Sequence, residues 1–140
     1  MRMEIPVPIK PVNGQSGRHG NATAVLAEVR HALERFLATR EPTLIDLNGM
    51  PFGPGDEAAL LEVLGRGEVE IVLAAMGQSR LWESRYAGVW VVEHHNPCGE
   101  RMAFQIEVAD IPGIARSPRV GMEEALRQLS ESPPPMDIAL

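Results

Sequence analysis

At Gly67 the apolar period of this chain changes to two, which suits strands rather than amphipathic helices. In GEVEIVLAAM (67–76), Val69, Ile71, Leu73 and Ala75 alternate with Glu68 and Glu70 at the start. RLWES (80–84) gives a short second strand, GVWVVEHH (88–95) a third and MAFQIEVAD (102–110) a fourth. In the fourth, Met102, Phe104, Ile106 and Val108 form one face, with Gln105 and Glu107 on the other. Links this short leave no room for crossover helices, so the strands are expected to pair as an antiparallel meander. The apolar face of that sheet then needs a cover.

The cover lies upstream. Ala22, Val25, Leu26, Val29, Leu33, Phe36 and Leu37 recur at helical spacing, which predicts a helix from Asn21, as its N-cap, to about Thr39. The turn-rich stretch NGMPFGPGD (48–56) leads into a second helix that begins near Pro54 to Asp56 and ends by Gly65. A short strand, TLIDL (43–47), separates the two, and MEEALRQLS (122–130) supplies a short last helix. The expected fold class is α+β: an antiparallel β-meander sheet packed on one face by two to three helices. Residues 21–130 make one domain, preceded by an extended Pro/Gly-rich leader (1–20) and followed by a flexible tail (131–140). In the leader Pro6, Pro8 and Pro11 alternate with Ile5, Val7, Ile9 and Val12, which favours extended backbone.

Charge and composition remove several classes of function. Thirteen Lys and Arg stand against nineteen Asp and Glu, a net charge of -6 with no basic cluster, so nucleic acid is not an expected partner. No stretch approaches the roughly 20 apolar residues that span a bilayer, and the start lacks a signal-peptide core. A lone cysteine makes no intrachain disulfide, which leaves the cytoplasm as the expected compartment.

The stretch HHNPCGE (94–100) holds two histidines and that cysteine. His95 and Cys98 have H-x-x-C spacing and are the weak candidates for metal ligands, but a zinc site draws four ligands and no second pair exists in the sequence. Strand alternation sends His94 and His95 to opposite faces, so the stretch reads first as a strand end and a turn. A Cys98 nucleophile lacks an orienting third residue. Glu68 with Glu70, and Glu83 with Glu107 as sheet neighbours, are the carboxylate pairs; both suit a solvated polar face better than catalysis. No serine triad, phosphate loop or zinc-protease helix motif is present, so residue chemistry indicates no enzyme and requires no cofactor. Trp82, Tyr86 and Trp90 put half of the six aromatic residues within nine positions, a concentration more in keeping with binding.

Three stretches carry a resemblance: LAEVRHAL (26–33), LIDLNGMPFGPGDEAALLEVLGRGEVE (44–70) and RLWESRYAGVWVVEHHN (80–96). In order and spacing they resemble the C-terminal domain of the HupH/HyaF hydrogenase-expression family. The resemblance implies an accessory protein or chaperone for [NiFe] uptake hydrogenase maturation, which binds a hydrogenase structural subunit precursor during assembly and catalyses nothing. A rubredoxin-like accessory protein is a further partner it allows. Family members are often longer, which raises a homodimer, with exchange of the leader, as an expectation. Glu68, Glu83, Trp90 and His94 are the positions whose side chains would face a client. The competing reading is a small metal- or thiol-handling protein that uses His94, His95 and Cys98.

Overall fold

The computed structural model describes residues 20–74, 77–131 and 136; the leader and most of the tail lie outside them. The first helix, α1 (Asn21–Thr39), buries Val25, Val29, Ala32 and Phe36 along one stripe, as the spacing predicts. Asn21 is not its cap. Gly20 takes that place in the left-handed region, and the Asn21 amide instead donates to the Pro51 carbonyl at 3.1 Å. The side chain is spent on tying α1 to the loop ahead of the second helix. That helix, α2 (Pro54–Leu64), starts on proline and has Asp56 in its first turn, buried, with its carboxylate accepting the Gly53 N–H at 3.4 Å. Gly65 closes it at φ 61, a conformation that side chains resist.

Five strands follow the predicted segments: β1 (Thr43–Asp46), β2 (Glu70–Ala74), β3 (Gln78–Glu83), β4 (Val89–His95) and β5 (Arg101–Val108). All pairings are antiparallel in the order β1-β5-β4-β3-β2. Strands β2 to β5 are the expected meander, and β1 extends it beyond β5. The chain therefore leaves one edge at β1 and returns at the other edge as β2, with α2 on the way. Val29, Leu60, Val91, Phe104 and Ile106 meet in the core between α1, α2 and one sheet face.

The central strands are apolar on both faces. Trp82, Val91 and Ile106 share the helix-covered face, while Leu81, Trp90 and Val92 lie on the opposite one and are also buried. Register puts Ile71 of β2 beside Leu81, so its alternating apolar residues line the second face rather than the helix side. Trp90 is held there by its indole N–H, which donates to the Ala109 carbonyl at 3.1 Å. After a 3-10 turn at Gly113–Ala115 comes α3 (Arg119–Glu131), none of whose residues is buried. Two helices cover the sheet and the third stands clear, within the α+β architecture expected.

Candidate functional site

Glu83, Trp90 and Glu107 form a row across three neighbouring strands on the second sheet face. Trp90 is the middle member. The two glutamates are thus not sheet neighbours as expected; strands two apart are separated by about 10 Å. Each carboxylate holds a turn instead. Glu83 accepts the Gly88 N–H at 3.0 Å, which fixes the β3–β4 turn, and Glu107 accepts the Gly113 N–H at 3.0 Å, which fixes the exit from β5. A pair so separated and so occupied is not arranged for general acid–base work. Trp90, at 3% exposure, presents almost no surface to solvent, and its indole N–H donates to the Ala109 carbonyl. Trp90 is among the side chains expected from the sequence to face a client, and in this structure it is buried.

His94 and His95 part as alternation predicts. His94 Nδ1 lies 2.5 Å from the Ser79 hydroxyl on the neighbouring strand, while His95 stands beside Gln78. A register shift between them, where His94 faces Ala103 and His95 faces Arg101, bends the hairpin end. Cys98 is exposed in the turn beyond, its N–H bonded to the Asn96 side chain at 2.9 Å. Among the described residues, no three His, Cys, Asp or Glu side chains gather to hold an ion. Glu68 is exposed in the link before β2. The four residues singled out in the sequence are therefore spread over the link, the second face and the hairpin end.

Among the described residues, a polar hollow and an apolar groove are open. At the β2–β3–β4 end, Gln78, Arg80, Glu93, His95 and Pro97 line a shallow polar hollow of about 550 Å³. Arg80 there grips Glu70 of the edge strand at 2.7 and 3.2 Å. On the helix side, Leu26, Leu33, Val63 and Tyr86 wall an apolar groove of about 350 Å³ over Val29 and Leu64. Sequence reading missed Arg101, which links Glu57 of α2 to Glu93 of β4 at 2.9 and 3.5 Å. Glu57 and Glu93 raise its pKa above the ordinary value against the pull of burial. No short motif could have flagged a pair 44 positions apart.

The fold is an open five-stranded antiparallel sheet with α1 and α2 packed on one face, and among the described residues no three His, Cys, Asp or Glu side chains gather to hold an ion. The description "HupH hydrogenase expression protein, C-terminal conserved region" fits residues 20–133, and the chain belongs to that family. It is 33% identical to the hydrogenase expression/formation protein HoxQ of Azotobacter vinelandii, over 79% of this chain and 40% of that one. HupQ of Azotobacter chroococcum is likewise 33% identical, over 78% of this chain and 38% of its own length. The chain thus spans about two fifths of the length of these relatives. The solved hydrogenase expression protein HupH from Thiobacillus denitrificans matches with a TM-score of 0.75 and 39% identity, covering 79% of this chain and 92% of that structure.

Proposed function

We propose that this protein is a non-catalytic accessory factor of [NiFe] uptake hydrogenase maturation, working in the cytoplasm by holding a hydrogenase structural subunit precursor during assembly. The observation that carries the reading is family membership along nearly the whole described chain, together with relatives named for hydrogenase expression or formation. The geometry supports a holding role. Strand β2 is an edge of the sheet, with Val72 half exposed upon it and the polar hollow at its end. An unpaired edge accepts an extended segment of a client through main-chain hydrogen bonds. Glu68 precedes that edge, and His94 lies two strands in from it on β4, across Ser79 from Leu73, so both belong to the client surface on this reading. A rubredoxin-like protein is a candidate companion in the same assembly.

The test is a pull-down of the tagged protein after co-expression with the small and large hydrogenase subunit precursors, run for wild type, Val72→Lys and Cys98→Ala. Retention of one precursor by wild type and Cys98→Ala, with loss in Val72→Lys, is the expected result. No hydrogenase protein in any lane overturns the reading. Retention lost with Cys98→Ala favours the thiol-handling alternative, for which the exposed Cys98 is the one supporting feature.

A further inference from the structure

Two apolar surfaces of this chain have no described partner, and they are complementary. In α3, Met122, Leu126 and Leu129 recur at i, i+4 and i+7 and so share one face, yet they are 60%, 68% and 57% exposed. A helix that carries such a stripe is stabilised chiefly by burying it. The groove between α1 and α2 is the converse: apolar walls from Leu26, Leu33, Val63 and Tyr86 around an open trough. Charge matches as well. Arg30 stands on the groove's rim and is only loosely engaged, 3.9 Å from Glu34. Glu123 borders the α3 stripe beside Met122 and Leu126, paired at 3.0 Å with the exposed Arg119 of its own helix.

We infer that a second copy of this chain fills the groove: α3 of each protomer docks between α1 and α2 of its partner, in a two-fold symmetric exchange. The area supports reciprocity. A 13-residue helix is about 20 Å long and about 10 Å wide. One such contact falls short of the roughly 1,200 Å² at the lower end of stable interfaces, whereas two identical contacts related by a dyad approach it. The exposure of the stripe shows that α3 does not occupy its own protomer's groove. In the exchanged pair Arg30 of one copy meets Glu123 of the other.

Sedimentation velocity on the full chain across the micromolar range tests this. Wild type is expected to sediment as a dimer, and Leu126→Glu as a monomer with at least about tenfold weaker association. Leu126 is exposed, so the circular dichroism melt of diluted Leu126→Glu should match that of wild type. Arg30→Glu and Glu123→Arg should each weaken the dimer, and the double variant should restore it. In a Cys98→Ser background, Val63→Cys with Leu126→Cys should oxidise to a disulfide-linked dimer. A monomeric wild type, a dimer untouched by Leu126→Glu, or a disulfide formed within one chain would each overturn the inference. It goes beyond the maturation role and is independent of it, since sedimentation needs no client.

Discussion

Arg101 holds Glu57 through both arms of its guanidinium, at 2.9 and 3.1 Å, and lays the same group over the Phe104 ring at 4.1 Å. One side chain on β5 thereby clamps α2 to the sheet. Both partners retain about a third of their exposure, so solvent screens the pair. Arg101→Ala should lower stability by about 1 kcal/mol in urea unfolding. Arg101→Lys should recover little of it, because an ammonium cannot fork across a carboxylate. A cycle with Glu57→Gln should show clear non-additivity.

The two tryptophans should respond differently to the same change. Trp90→Phe removes the donor to the buried Ala109 carbonyl and should cost about 1–3 kcal/mol. Trp82 makes no such bond among the described residues; Arg66 lies 4.2 Å over its ring. Trp82→Phe keeps an aromatic face under Arg66 and should therefore cost less, under about 1 kcal/mol. Paired chemical melts decide between them, and equal losses would contradict the assignment.

Glycine positions make a sharper contrast. A Cβ on Gly77 would sit 2.1 Å from the His95 carbonyl oxygen, at a φ of 115°. Gly77→Ala should force β3 away from β4 and cost several kcal/mol by overpacking and strain, about 3 or more. Gly121 lies inside α3 and a Cβ there meets only Pro118 at 3.7 Å. Gly121→Ala should raise the helicity of α3, with about 0.5–1 kcal/mol gained through helix propensity. Far-ultraviolet circular dichroism of both variants is the measurement.

Asp110 ties the exit of β5 to α1, with Arg40 and Arg116 each 3.1 Å from its carboxylate. Partial desolvation pushes this carboxyl up, but the Ile111 N–H and the two guanidinia outweigh it and hold the group below the ordinary carboxylate range. A carboxyl with a lowered folded pKa binds its proton more weakly in the folded state than in the unfolded state. Its contribution is therefore present above about pH 4 and is lost as the pH falls through the folded value. An NMR titration should place its midpoint below that of a model aspartate. Arg40→Ala and Arg116→Ala should each move the midpoint upward.

The meander and both covering helices were legible because alternation and helical spacing are local records of burial. Pro54 and Gly65 marked the ends of α2 through backbone preferences that also act locally. The sequence pattern could not show which face a strand's apolar residues take when both faces are buried. Ile71 and Leu73 look like core residues yet line the second face, and only pairing with Leu81 and Ser79 decides it. Asn21 failed as a cap because the helix starts one residue earlier, with Gly20 at the N-cap and Asn21 inside the first turn, where its amide N–H donates to a carbonyl 30 positions away. Glu83 and Glu107 suggested a pair of sheet neighbours, but the strand that the meander itself places between them, β4, keeps them two strands apart. The Glu57–Arg101 clamp belongs to tertiary geometry alone.

The hairpin between β4 and β5 has an uneven distribution of duties. Asn96 is its spool: its side-chain carbonyl accepts the N–H groups of Cys98 and Glu100, each at 2.9 Å, and its amide donates to the Glu100 carboxylate at 3.0 Å. Cys98 contributes only its backbone to that winding and leaves its thiol in solvent. Among descendants of this sequence, position 98 is therefore free to drift through small polar residues while position 96 is constrained. The chain's single cysteine sits on a turn that the side chain of an asparagine winds.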